Sequence, residues 1–405
     1  MRSLPYDAQF ALCNIGGNAR VIRRDAPEAS PMPTEEFIRL RGREAGLARR
    51  WLRGVPPEEI FDGLRMDPST TSDRLPDGCF NTWRGLAVEP SESGSCHLFR
   101  QHLLQNVCGG RQALADYVWR WMAHLAQRPA TKPLVALLLY GEAQGTGKDF
   151  VGRTLGRLLR PVNYQHVRSA YQLLDNYNGR LLVNSLLIHA EEILVESPRK
   201  GLDQLKSLIT APRVKIRFMR ADAYDVDSYT RFLLTSNHAA PIHIEPSDRR
   251  FFAIEVPQHP HTNSREWFAA AEAELAAGGL QRLLYELQHE PLDDFAPIER
   301  PHTAEHDTLR STAILPLHDY VAGILESGNL QDIPCDDFRL EFAKWCNLYK
   351  IDAPYTSIGL GMALGKIGMI RSRRQKHPRH RYYDLQQSAP ALRENLIRLY
   401  PDLKL

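Results

Sequence analysis

Residues 134–158 constrain the fold more than any other stretch. An apolar run, LVALLLY (134–140), gives way to GEAQGTGKD (141–149), and FVGRTLGRLL continues with helical spacing. Strand, glycine-rich turn and helix in that order bring backbone N–H groups, a helix N-terminus and a lysine to one point, the arrangement that holds phosphate. The strict G-x-x-x-x-G-K-[ST] pattern fails at both ends. Gly141 comes one residue early, with Glu142 in its place, and Asp149 stands where a magnesium-binding hydroxyl is usual. Gly145, Thr146, Gly147 and Lys148 still supply the cradle, with Gly141, Gln144 and Asp149 beside it. Asp149 has two readings. An acid in the first turn of a helix is favoured by the dipole by ~0.3–1 kcal/mol whatever its role; a carboxylate beside a triphosphate is also a good Mg²⁺ ligand.

Two further apolar runs, residues 181–190 and 230–236, follow with helical or hairpin material between them. Strand, loop and helix in repetition predict a mostly parallel sheet covered by helices. Both runs end in polar residues, Glu191-Glu192 and Thr235-Ser236-Asn237. Adjacent glutamates are commonly a solvated surface pair. Directly after a buried strand, and downstream of a phosphate loop, they read instead as Glu191 holding the metal and Glu192 orienting the attacking water. A third strand end on the same sheet edge brings the Asn237 amide toward the terminal phosphate. In Asp248-Arg249-Arg250, one arginine pairs with the acid and the other is available as an arginine finger, which implies a repeating heterologous interface.

The remainder is read more coarsely. Residues 8–24 alternate around Gly16-Gly17 as a small hairpin, 35–53 are helical and basic, and 97–127 form two helices split by Gly109-Gly110. Residues 265–290 are helical, and the Pro- and acid-rich 291–306 read as a linker. The tail carries three short helices and then RSRRQKHPRHR (371–381), a basic excursion with six Lys/Arg and no acid, like the wing of a winged helix. The resulting divisions are 1–94 (small α+β region), 95–133 (helical collar), 134–257 (ATPase core), 258–311 (helical lid and linker) and 312–405 (winged-helix-like). Net charge is only +3, so bulk charge announces no nucleic-acid partner. The longest apolar run is far short of the ~18 residues of a spanning helix, and six scattered cysteines suit buried thiols in a reducing compartment. A cytoplasmic protein without a membrane partner is expected. His259 with His261, and His302 with His306, sit in Pro-rich loops and lack a third ligand at metal-site spacing.

Taken as a set, Gln144–Lys148, Glu191-Glu192, the LKSLIT run from Leu205 to Thr210, Asp222-Ala223-Tyr224, Thr235-Ser236-Asn237 and Asp248-Arg249-Arg250-Phe251 resemble the superfamily 3 helicases. The likeness is to the primase-helicase branch of phages, mobile elements and large DNA viruses, and it covers roughly residues 55–260. Residues 80–85 (FNTWRG) look like the segment before the ATPase domain there. The resemblance implies an α/β fold with an AAA+ P-loop core and a homo-hexameric ring using ATP and Mg²⁺ to move along single-stranded DNA in its pore. Lys148, Glu192, Asn237, Arg249 and Arg250 would be catalytic, and Asp149 and Glu191 would hold the metal. A hairpin formed by residues 213–230 would carry the DNA contacts Lys215, Arg217, Arg220 and Tyr224; Lys206 is read either as a phosphate sensor or as an exposed helical lysine. The wing residues Arg371, Arg373, Arg374 and Lys376 are read as holding duplex DNA, an origin or a partner, or else as a solvated basic loop. No primase-polymerase domain is expected upstream, so a separate primase or polymerase is an expected partner. An ATP-binding initiator or structural ring with little unwinding is the alternative.

Overall fold

The computed structural model describes residues 6, 8–25, 31–168, 172–173, 179–191, 200–216, 224–238, 242, 248–301, 303, 316–348, 356–373 and 381–399. Packing divides the chain into two units, Met1–Ile242 with Arg249–Thr303, and His243–Asp248 with Ala304–Leu405.

The first unit opens with the hairpin β1 (Phe10–Ile15) and β2 (Asn18–Arg23), extended by β3 (Met32–Pro33). Gly16 and Gly17 both take positive φ, 57° and 78°, as a two-residue turn requires. Phe10, Leu12 and Val21 pack with Phe37 and Trp51 of the two helices that follow, Thr34–Leu40 and Ala45–Gly54. Two short parallel strands, β4 (Leu64–Arg65) and β5 (Phe80–Asn81), then lead to the collar. Asn81 is fully buried: its carbonyl accepts from the Asp67 and Trp83 amides, and its amide donates to the Asp67 and Thr70 carbonyls. That knot gives the FNTW segment a structural role. In the collar, the His97–Gln101 helix runs on as a π-helix, His102–Val107, before Gln112–Gln127, whose Val118, Trp121, Met122 and Leu125 are fully buried.

The centre of this unit is a five-stranded, all-parallel sheet of β6 (Ala136–Tyr140), β7 (Tyr164–Val167), β8 (Leu187–Ala190), β11 (Arg231–Ser236) and β12 (Phe251–Glu255). Between β8 and β11 lie the Lys200–Thr210 helix and an antiparallel pair, β9 (Arg213–Ile216) and β10 (Tyr224–Asp227). The sheet order is β12-β6-β11-β8-β7, that is 5-1-4-3-2 by order in the chain. Both faces are covered, so β6 and β11 are buried at every position; β6 reads as an unbroken apolar run, while β11 keeps an apolar centre between buried Arg231 and buried Thr235 and Ser236. The strand expected over 181–190 is confined to Leu187–Ala190, with a short helix, Gly179–Leu182, before it. Asn184 and Ser185 interrupt the run because their polar groups are used locally: Thr82 donates to the Asn184 side chain and Thr230 to the Ser185 carbonyl.

Arg231, at the start of β11, is fully buried. Its guanidinium donates to the carbonyls of Arg128, Pro129, Thr131 and Tyr229, and burial pulls its pKa down to about 9. Lys132 ties the same loop to the carbonyls of Leu208 and Ala211 and to the Ser228 hydroxyl.

Downstream, Arg265–Glu274 and Leu280–His289 are joined by a π-helical kink at which Gly278 has φ 101°. The first part of the linker expected over 291–306 is packed against the first unit. Leu292 and Phe295 enter the main core, and Thr303 is buried against the Ala253 carbonyl.

In the second unit, helices Pro316–Ser327, Cys335–Leu348 and Ser357–Lys366 precede a small antiparallel sheet and a last helix, Leu385–Leu399. Its strands β13 (Ile333–Pro334), β14 (Ile370–Arg373) and β15 (Arg381–Asp384) run in the order β13-β15-β14. The core of this unit gathers Leu317, Val321, Phe338, Phe342, Leu364, Tyr383 and Leu392, so all four of these helices contribute to it.

Candidate functional site

The parallel register puts the ends of β6 and β11 side by side, Tyr140 opposite Ser236, and the end of β8 next to them, Ala190 opposite Leu234. The chain leaving each strand therefore emerges at one edge. There a cleft of about 670 Å³ is lined by Gln144–Asp149, Arg153, Asn237, Asn263–Arg265 and Phe268.

The loop is shaped by close approach. Gly141 has φ 146°, and a Cβ there would stand 2.8 Å from the Val256 carbonyl; at Gly145 it would meet Asn263 Oδ1, and at Gly147 the rings of His102 and Phe268. Gly147, at φ 82°, caps the Lys148–Leu158 helix. Lys148 is buried and its ammonium donates to the carbonyls of Gly141 and Ala143 and to the Thr146 hydroxyl at 2.9–3.2 Å. Burial lowers its pKa, against the pull of Asp149. Across the cleft, Ser264 caps the Arg265–Glu274 helix, accepting from the Trp267 amide. Two helix N-termini thus face the same space, as an anion site requires.

Two imidazoles brace the loop from outside. His102 Nε2 meets the Gly147 carbonyl at 3.1 Å while Asn106 donates to Nδ1, so the neutral Nε2–H form fits both bonds. Burial lowers the His102 pKa to about 4. His259 Nε2 meets the Thr146 carbonyl at 3.0 Å, and its Nδ1 accepts from the His261 amide. His261 stacks on Trp267. His259 is therefore a loop brace here, while His302 and His306 lie outside the described residues.

Asp149 is half-exposed. Its Oδ1 accepts from the Thr235 hydroxyl at 2.6 Å and lies 3.4 Å from His189 Nε2. Burial pushes this carboxyl up, but His189, the Thr235 hydroxyl and Arg153 together outweigh it and leave the group below the usual carboxylate range. Glu191 does not line the cleft; it leaves β8 toward His166, with Oε1 2.7 Å from Nε2.

Of the other expected site residues, Arg249 is exposed, and the Arg250 carbonyl accepts from the Ala136 amide. Lys206 is buried, so the exposed-lysine reading does not hold. Lys215 is exposed on β9, opposite Asp225 on β10, and Tyr224 pairs with Ile216 at the end of the pair nearest its connecting residues. Arg371 reaches Cys335 Sγ at 3.5 Å and lies over the Tyr383 ring; Arg373 pairs with Arg381. Glu192, Arg217, Arg220, Arg374 and Lys376 lie outside the described residues. The sequence reading missed His102, Asn263, His166 and His189 as site-forming residues. Only His189 left a local signal, as the lone imidazole in an apolar strand two residues before the acid.

Residues 139–250 match DUF5906, a family of unknown function. Over 138 residues the chain is 28% identical to a DNA primase-polymerase of Nitratiruptor phage NrS-1, covering 33% of this chain and 19% of that protein. It thus spans about a fifth of that relative's length in the match. The apo structure of the NrS-1 C-terminal region aligns with a TM-score of 0.63 over 93% of this chain and 96% of that one, at 15% identity. The chain has the fold of that region. A second form of the same region aligns with a TM-score of 0.60 over the same shares. Among the described residues, no helix is long and apolar enough to cross a membrane.

Proposed function

We propose that this protein is an ATP-dependent DNA helicase of the superfamily 3 type, with an AAA+ core, that works as a ring on single-stranded DNA in the replication of a phage or mobile element. The observation that carries this reading is the convergence of Lys148, Asp149 and Asn237 on one cleft, at the C-terminal edge of a parallel sheet ordered 5-1-4-3-2. Similarity to a DNA primase-polymerase supports a role in replication.

The donor set fits a magnesium nucleotide. Lys148 and two helix N-termini supply positive potential for phosphates, and Asp149 supplies an ionised hard oxygen for Mg²⁺. When bound, that ion neutralises charge on the transferring phosphoryl group. The protein's own part is positional. Thr235 holds the Asp149 carboxylate, His102 and His259 fix the Gly147 and Thr146 peptides, and Asn237 presents its amide to the terminal phosphate. Glu192 is assigned the attacking water, and the exposed Arg249 is the better-placed arginine for a neighbouring subunit. Lys215 and Tyr224 belong to the hairpin assigned to single-stranded DNA, and the β14–β15 turn of the second unit to a winged helix that holds duplex DNA.

A second reading, an ATP-binding initiator or structural ring with little unwinding, is favoured by one observation: Glu191 is engaged by His166 and does not line the cleft. One experiment separates the two. ATP hydrolysis by the purified chain is measured with and without single-stranded DNA, alongside displacement of a strand from forked duplexes of both polarities. Stimulated hydrolysis with unwinding supports the helicase; hydrolysis that never displaces a strand supports the ring; no nucleotide binding at all rejects both.

A further inference from the structure

Next to the cleft, where β7 and β8 run parallel, His166 lies opposite His189 in register and the two rings stack at 4.8 Å with 18° between their planes. One ligand atom from each of His166, His189 and Glu191 lies within 4.8 Å of the others. We propose that these three residues bind a transition-series divalent cation, Zn²⁺ in the first instance, at a site separate from the nucleotide's magnesium.

The second observation concerns His189 itself. The residue is fully buried, and Nδ1 meets the Tyr164 hydroxyl at 3.1 Å. Nε2 is buried, and its contact to Asp149 Oδ1 at 3.4 Å is too poorly aligned to make a well-formed hydrogen bond. A buried donor or acceptor left wholly unpaired costs about 1–3 kcal/mol, and the strained Asp149 contact offsets only part of that for Nε2. Coordination to a metal removes that cost. The Tyr164 hydroxyl on the opposite nitrogen holds the ring as an outer partner of a metal-bound histidine does.

The helix beside the pair makes room for it. A Cβ on Gly152 would stand 2.5 Å from His189 Nδ1, and one on Gly156 would stand 2.5 Å from the Tyr164 ring. Two glycines in a helix interior each weaken it by roughly 1 kcal/mol relative to alanine. The alternative is a plain His166–Glu191 ion pair beside a neutral buried histidine. That alternative accounts for the 2.7 Å contact, but leaves Nε2 with only the poorly aligned contact to Asp149.

Two imidazole nitrogens and one carboxylate oxygen form a set that suits Zn²⁺ or Co²⁺ and leaves a position open; Mg²⁺ prefers oxygen ligands throughout. His166 and Glu191 are half-exposed and free to turn onto an ion, while His189 is fixed by its burial.

The test uses the full chain, stripped of metal and free of nucleotide, so its outcome is independent of whether the cleft binds ATP. Zn²⁺ binding is followed by calorimetry, and Co²⁺ by its visible absorption, with Mg²⁺ as competitor. The proposal expects one Zn²⁺ per chain, no displacement by excess Mg²⁺, and affinity lowered at least about ten-fold in each of His166→Ala and Glu191→Gln. Neither side chain is in the core, so both variants are expected to fold, which circular dichroism checks. Zn²⁺ affinity unchanged in both folded variants overturns the proposal and assigns any bound metal to thiols such as Cys79. Loss of bound Zn²⁺ to equimolar Mg²⁺ overturns it as well.

Discussion

Gly152→Ala gives a test in which the sign of the effect is decided by one side chain. In an ordinary helix interior the change stabilises by roughly 1 kcal/mol, because alanine has less backbone freedom to lose. In the Lys148–Leu158 helix the new Cβ would stand 2.5, 2.6 and 2.7 Å from Nδ1, Cγ and Cε1 of His189. That ring is fully buried, stacked on His166 and held by Tyr164, so relief requires the helix and β8 to separate. Overpacking of this kind costs typically ~1–3 kcal/mol. The net expectation is a loss of roughly 0–2 kcal/mol. Gly323 provides the control: it is an exposed glycine of the Pro316–Ser327 helix with nothing within 4 Å of its Cβ position, and alanine there is expected to gain the full ~1 kcal/mol. Amide hydrogen exchange read peptide by peptide follows both helices in one sample. Protection should fall at Gly152→Ala and rise at Gly323→Ala. In a His189→Ala background the clash is gone, and Gly152→Ala should become stabilising, a coupling of about 1–3 kcal/mol. If Gly152→Ala raises protection in the wild-type background as it does at Gly323, the packing argument is wrong.

Three further outcomes are expected. Lys148→Met removes the cation that meets the loop carbonyls and should lower ATP turnover by about 100-fold or more, measured at saturating nucleotide. Asp149→Ser should lower turnover about ten-fold or more if this carboxylate holds magnesium; a large gain would show instead that the acid impairs the site. His102 sets an acid limit: with a pKa of about 4 in the fold against 6.5 when unfolded, the unfolded chain binds more protons between these values. Stability therefore falls as pH drops from 6.5 toward 4, by up to about 3 kcal/mol. His102→Gln, which keeps a donor for the Gly147 carbonyl, should flatten that limb in denaturant titrations at each pH.

The parts of the fold most legible in the sequence are those that local pattern dictates. β6 is buried on both faces and stands out as an unbroken apolar run, and Gly16-Gly17 marks the first hairpin because a two-residue turn of this kind needs two positive φ values in sequence. The phosphate-type loop was legible for the same reason, since strand, glycines, lysine and helix are contiguous. What supports the loop was not. His102 reaches it from 45 residues upstream and His259 from 113 residues downstream of Thr146, through contacts that only tertiary packing creates. The pairing of His166 with His189 depends on the register of two parallel strands, which no spacing in the chain reveals. Residues 291–306 read as a linker by composition, yet Leu292 and Phe295 anchor its first part in the main core.

Arg231 bears on how this chain is made. Its guanidinium closes the end of the collar with contacts that reach back 100 to 107 residues, and such contacts form only after a long loop has closed. The last carbonyls of the collar therefore gain their guanidinium partner only once β11 is in place. The strand that brings the guanidinium also ends in Thr235 and Asn237. Closure of the collar and completion of the cleft edge thus depend on one element, β11, taking its place between β6 and β8.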